Sequence, residues 1–292
     1  MSESVIADFV ATFNTELSGD TEPIRGRVLL SEKRLVLAAD ADRTVTIPLA
    51  DVFDVAVGHV PPDLGKFFDS TVTVAFETDD RRATAVIESD DDTIEKFSTV
   101  LFKALLNGTR VTVQHPARVG GRVTGESFEP ATISIEPHRL EFNREDDTAV
   151  VRLATVSNFD RLSREIDGQS RPVIAVRHMS GGRAVTTLVA LPSGRLSNVL
   201  GRYIRLEYSD LVADASDVDL TEDDIRLLVT IYSSGIEDSA ALARTLGVDA
   251  TKATMLLEDL EGEGVVTDAD GAPELTPVGR VIVSRYIERV NE

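Results

Sequence analysis

The feature that most constrains the fold is an internal echo. SEKRLVLAADADRTVTIPLADVFD, Ser31 to Asp54, is matched by EPHRLEFNREDDTAVVRLATVSNFD, Glu136 to Asp160, about 104 residues later. Each copy reads as an Arg-Leu-apolar strand, an acidic turn, a second strand and a third. An offset of this size is one domain length, so the chain must build two copies of one strand-rich unit before its remaining residues are placed.

Around the first copy, alternation of apolar and polar residues between Asp, Gly and Pro turns predicts strands over Gly26 to Leu30, Arg34 to Ala38, Thr44 to Leu49, Val52 to Val57, Ser70 to Glu77 and Ala83 to Glu88. Ile94, Phe97, Val100, Leu101, Ala104 and Leu105 then recur at helical spacing behind the cap residues Asp91 and Asp92, and Gly108 ends the helix. The second copy closes in the same way, with Leu196, Val199, Leu200 and Tyr203 on one face after Ser193 and Gly194. Hairpins at Asp79-Asp80 and Gly181-Gly182 occupy matching places. Six or seven antiparallel strands followed by one amphipathic helix is the order of a pleckstrin-homology-like barrel, with the helix closing an open end. The expected units are residues 1–108, 109–209 and 210–292. At the N-terminus Val5, Ile6, Phe9, Val10 and Phe13 share a helical face behind Ser4, predicting a short docking helix.

The last unit begins with an acidic linker, Asp210 to Asp219. Thr221-Glu222-Asp223-Asp224 has the form of a capping box and precedes the apolar stripe Ile225, Leu228, Val229 and Tyr232. Ser239 to Leu246 reads as a second helix, and Asp249 caps a third with Ala253, Leu256, Leu257 and Leu260 inward. Val265-Val266, the turn Asp270-Gly271 and Glu274-Leu275 form a small wing, and Pro277 opens a last helix. The expected fold class is therefore α+β: two tandem pleckstrin-homology-like β-barrel domains, then a winged helix-turn-helix domain.

Composition removes several function classes. There is no Cys, so thiolate chemistry, disulfides and Cys-ligated zinc are excluded. No apolar run approaches the roughly 18 residues of a membrane span, and Glu3 and Asp8 stand where a signal peptide is basic, so a cytoplasmic protein is expected. Fifty acidic against 30 basic residues give a net charge of −20, and only five of the basic residues are Lys. At about 1 M salt the Debye length is roughly 3 Å, so this self-repulsion is tolerable in a salt-rich cytoplasm.

Candidate sites are few. A winged helix suggests DNA, yet the outward positions of its third helix are Thr251, Lys252, Met255, Glu258 and Asp259, and residues 220–292 hold fifteen acidic and six basic residues. That balance opposes phosphate contact, and protein contact through Lys252, Met255 and Glu258 is the expected use. Arg25, Arg27, Lys33 and Arg34 near the first hairpin, and Arg118 and Arg122 in the second copy, have the charge for an anionic head group. Glu22, Glu32, Asp40 and Asp42 surround the first set, which favours surface ion pairs. Val119-Gly120-Gly121-Arg122 lacks the Lys-Ser/Thr ending of a phosphate loop. His59, His115, His138 and His178 are spread singly, without metal-ligand spacing, and read as surface or turn residues. No Gly-x-Ser-x-Gly elbow occurs. No catalytic, cofactor or metal site is expected.

The whole chain resembles the archaeal taxis family CheF, through LLSEKRLVLAADADRTVTIPLADVFDV at Leu29 to Val55, its echo at Arg139 to Asp160, and LLVTIYSSGIEDSAALARTLGVDATKATMLLEDLEGEGVV at Leu227 to Val266. That resemblance implies a chemotaxis adaptor joining the response regulator CheY, with CheC and CheD, to accessory proteins of the archaellum motor. It implies no enzymatic activity and carries no individual binding residues; the expectation of no nucleic acid and no membrane insertion rests instead on the acidic last unit and the absence of a long apolar run. The rival readings are a winged-helix transcription regulator with barrel sensor domains and a membrane-surface module.

Overall fold

The computed structural model describes residues 4–17, 22–40, 43–58, 70–180, 183–234, 239–269 and 272–290. His59, the Gly181-Gly182 hairpin and the Asp270-Gly271 turn lie outside them.

The first copy runs β1 (Val5–Thr15), β2 (Ile24–Ser31), β3 (Arg34–Ala38), β4 (Thr44–Pro48), a 3-10 turn (Leu49–Asp51), β5 (Val52–Val57), β6 (Thr71–Glu77), β7 (Arg82–Glu88) and α1 (Asp91–Leu106). The second runs β8 (Arg110–Val119), the two-residue β9 (Arg122–Val123), β10 (Glu129–Glu136), β11 (Arg139–Asn143), β12 (Thr148–Arg152), a 3-10 turn (Leu153–Thr155), β13 (Val156–Ile166), β14 (Gln169–Ser180), β15 (Arg183–Ala190) and α2 (Gly194–Ser216). The sheet orders are β4-β3-β2-β1-β7-β6-β5 and β12-β11-β10-β8-β15-β14-β13, with β9 beside β8. These are one path drawn twice, so the sequence echo is an echo of topology. Neither sheet closes: β4 and β5 in one, β12 and β13 in the other, end their hydrogen-bonded paths.

The N-terminal helix expected from Val5 to Phe13 is strand β1 instead. Ala7, Phe9, Ala11 and Phe13 point inward at a period of two and pack in the core, while Val5 and Val10 stand 54% and 56% exposed. Its Val, Ile and Thr residues favour an extended chain, and pairing with β2 from Val5 to Phe13 satisfies one side of the strand. Helical and strand spacing overlap in so short a segment, and sheet pairing decides between them.

Helix α1 is capped by Asp90, whose side chain accepts from the Thr93 amide at 3.0 Å, and α2 by Ser193, which accepts from the Leu196 amide. Both bury their apolar faces in a core that continues without a break through both sheets. The connection between the copies is itself fastened: Asn107 Oδ1 accepts from the Ile135 amide at 2.7 Å and the Gly108 amide donates to the Ile133 carbonyl at 3.1 Å.

The acidic stretch from Asp210 is not a linker at its start, because α2 continues to Ser216. Leu211 is buried beside Ala154 and Val281, with Val212, Ala215 and Val278 packed around them. Apolar residues at helical spacing outweigh the acidic residues between them, which need only face water.

After this come α3 (Glu222–Ser234), α4 (Ser239–Leu246), α5 (Ala250–Gly262), the hairpin β16 (Val266–Ala269) and β17 (Ala272–Leu275), and α6 (Pro277–Val290). The capping box forms: Thr221 Oγ1 accepts from the Asp224 amide, while the Asp224 carboxylate accepts from the Thr221 amide at 2.8 Å. A second core gathers Leu227, Leu228, Leu242, Leu257, Leu260, Val265 and Val283. Gly279 lets α6 approach the hairpin, since a Cβ there would collide with the Val265 carbonyl oxygen.

Candidate functional site

Helix α5 presents the residues expected to meet a partner. Asp249 caps it by accepting from the Lys252 amide at 2.9 Å, and Ala253, Leu257 and Leu260 are buried. That packing turns Lys252, Met255 and Glu258 outward on one side, about 60° apart at successive steps of three residues. Met255 is 59% exposed. Lys252 is already engaged: its Nζ lies 2.6 Å from Asp223 Oδ2 on α3, and Arg226 reaches the same carboxylate at 4.0 Å. The Lys252 hydrogen bond, reinforced by its charge, holds the Asp223 carboxyl below the usual carboxylate range. The face thus sets the exposed Met255 between a lysine paired with Asp223 and the exposed Glu258.

The two copies meet along α2 and β5. Arg195 Nη1 donates to the carbonyls of Leu49 and Val52 at 3.2 and 2.7 Å. Arg202 makes a two-pronged contact with Asp54 at 2.9 Å on each arm. Inside this polar rim the rings of Phe102 on α1 and Tyr203 on α2 lie 5.4 Å apart. Burial, with Glu207 nearby, drives the Tyr203 phenol up, so it stays neutral.

Sequence spacing missed one polar cluster. His178 on β14 is 1% exposed, and its Nε2 lies 2.9 Å from Thr187 Oγ1 on β15. His115 Nδ1 on β8 reaches the same hydroxyl at 2.7 Å, and the two imidazoles stack at 5.9 Å. Burial, helped by the neighbouring His115, lowers the His178 pKa to about 4. Burial and Arg144 also lower that of His115. These two histidines are therefore not the isolated surface or turn residues their positions in the chain suggest. They lie 63 positions apart, and the register of three paired strands brings them together; only knowledge of that pairing would have exposed the cluster. His138 fits its turn assignment, with φ 55° and Nδ1 3.3 Å from Glu207. Among the described residues no group of three His, Cys, Asp or Glu is placed to hold a metal ion.

The other arginine-rich segments resolve simply. Arg27 is held by Asp8 through two hydrogen bonds, the surface pairing expected of it. Gly120 and Gly121, with φ 55° and 80°, make the turn from β8 to β9, a hairpin role that needs glycine's freedom and no phosphate. Arg118 and Arg122 are exposed. Among the described residues, no helix is long and apolar enough to cross a membrane.

The chain holds a fused pair of sheets and an exposed face on α5, and comparison with known proteins identifies its kind. The family model CheF-arch, described as archaeal chemotaxis signal transduction system protein F, matches residues 5–210. The chain belongs to this family. A curated CheF-family relative, "Taxis protein CheF2" of Halobacterium salinarum, is 49% identical over 291 residues and covers 100% of both chains. "Taxis protein CheF1" of the same organism is 29% identical over 277 residues, covering 94% of this chain and 91% of the relative. A solved structure described as "Structure of the Spt16D Pob3N heterodimer" aligns with 66% of this chain and 99% of its own, at 12% identity and a TM-score of 0.27, too low to bear on the fold. The CheF family is one of taxis signalling proteins.

Proposed function

We propose that this CheF-family chain is a cytoplasmic adaptor of archaeal chemotaxis: it receives the response regulator CheY, together with CheC and CheD, on one surface and accessory proteins of the archaellum motor on another, and so biases the switching of rotation. The observation that carries the reading is the match to a taxis protein over the full length of both chains. In this reading residues 1–108 and 109–209 are pleckstrin-homology-like modules, residues 210–292 a winged helix used for protein contact, and Lys252, Met255 and Glu258 part of a partner surface. The repeated strand order supports the first assignment and the helix-helix-helix-hairpin-helix order the second. The acidic excess suits a cell of high internal salt.

An adaptor that reports a regulator's state must bind its two states with different free energy. Calorimetric titration of the purified chain with phosphorylated and unphosphorylated regulator, in molar salt, tests this. Binding that prefers the phosphorylated form is expected. Absence of binding, or equal binding of both forms, overturns the signalling half of the proposal.

A further inference from the structure

The outward face of β13, β14, β15 and β8 is not an ordinary solvated surface. Register aligns Asn158, Arg177, Thr186 and Arg118 in one row across the four strands. The next row is Asp160, Ala175, Leu188 and Gln114, followed by Leu162 with Val173 and Ala190, and Arg164 directly opposes Arg171 at the end. The other side of the same strands sends Ile174, Val176, Val189 and Val113 into the main core. On the outward side Phe128 packs with Leu162 and Leu188 against Ile166, Val173 and Ala190, forming a second, small apolar floor. Gln114 pins the covering segment by donating to the Glu126 carbonyl at 2.7 Å, and Val123 stands 70% exposed at the lip. The result is a groove of about 470 Å³.

Its charge runs against the rest of the molecule. In a chain of net charge −20, Asp160 is the single carboxylate among the described lining residues, and it accepts from Asn158 at 3.0 Å. Arg118 and Arg177 line one end and Arg164 the other, where the strand register sets Arg171, outside the lining itself, directly beside Arg164. None of these four makes an ion pair with another described residue. Like charges directly opposed across two strands cost stability, so Arg164 and Arg171 face each other at a loss that an anion between them would reverse. Six residue steps of extended chain lead from Asn158 to Arg164, about 20 Å, and the strands carrying Arg177 and Arg118 are about 10 Å apart. Along that length the groove runs from Arg118 and Arg177, past the single carboxylate Asp160, over the apolar floor to Arg164 and Arg171.

We propose that this groove docks an extended acidic segment of a protein partner, in which carboxylates about six residues apart flank an apolar side chain. Arg118 and Arg177 take one carboxylate and Arg164 and Arg171 the other, while the apolar side chain lies on Leu162, Leu188 and Phe128. An anionic membrane is the poorer occupant, because a groove partly covered by the segment that Gln114 fastens admits an extended chain but not a flat layer of head groups. The inference rests on the protein-binding reading above and gives it an entry point.

The probe is a dye-labelled synthetic peptide, Glu-Asp-Ser-Leu-Val-Ser-Glu-Asp, set against its Gln/Asn analogue and against phosphatidylglycerol vesicles. Saturable anisotropy is expected with the acidic peptide, weakened about tenfold or more by the neutral analogue and by each of the pairs Arg118→Glu/Arg177→Glu and Arg164→Glu/Arg171→Glu, with rescue by Arg→Lys at the same positions. Because these side chains are held by no described partner, the variants should fold, and Arg171→Glu alone should raise the urea midpoint by relieving its repulsion with Arg164. No binding of the acidic peptide, equal binding of wild type and variants, or Arg-dependent sedimentation with vesicles in place of peptide binding overturns the assignment. The peptide can bind while the regulator titration fails, and the reverse, so the two readings fall separately.

Discussion

The buried histidine gives a pH dependence whose size follows from the structure. In the unfolded chain His178 titrates near its ordinary value of 6.5, whereas in the fold burial and the neighbouring His115 hold it at about 4. Between those values the unfolded chain binds a proton that the folded one refuses. The contribution of the neutral imidazole to stability is therefore complete above about pH 6.5, falls as the pH drops toward about 4, and is constant below. At about 1.4 kcal/mol for each pH unit the loss is about 3 kcal/mol, a large part of the 5–15 kcal/mol, roughly, that holds ordinary domains folded. The assay is urea unfolding at a series of pH values across that window, wild type against His178→Gln, which keeps an amide for Thr187 but does not titrate. The many carboxylates titrate in both proteins and cancel in the difference. Wild type should lose about 3 kcal/mol more than the variant; parallel curves would falsify the assignment of His178 as a neutral buried base.

Three further outcomes are expected. Phe102→Ala should cost about 3–5 kcal/mol in denaturant unfolding, because the ring is fully buried against Tyr203 at the seam between the copies. A double-mutant cycle of Arg202→Ala and Asp54→Ala should give a coupling of about 1 kcal/mol or less that shrinks as salt rises, as befits a partly exposed two-pronged pair. Gly279→Ala should destabilise the C-terminal elements by about 1–3 kcal/mol, since the new Cβ meets backbone that cannot rotate away, and faster amide exchange in α6 than in α1 would register it.

What the residues disclosed in advance followed from local physics. Strand spans read from alternation agree with β2 to β7 within two residues at each end, because turn chemistry and a period of two act over a few positions. The caps at Thr221 and Asp249 were legible for the same reason, whereas Asp91 and Asp92, expected to cap α1, lie in its first turn and the cap is Asp90, one residue earlier. The misreadings arose where a distant partner decides. Val5 to Phe13 suits either a helix or a strand until β2 is beside it, and the acids of 210–216 read as a linker until Leu211 meets Val281. The His115–Thr187–His178 cluster and the four-arginine groove depend on strand register, to which no local pattern points. Lys252, chosen as an exposed cation, proved to be bonded to Asp223 across two helices.

The fastening of Asn107 and Gly108 into β10 bears on how such a molecule can transmit a signal. A tether between two beads would let each half turn freely, and a load on one would die in the slack. Here the crossing is stitched to the neighbouring strand and the apolar interior runs straight through it, so the paired sheets behave as a stiff beam. A partner that binds one sheet therefore meets both as one packed body.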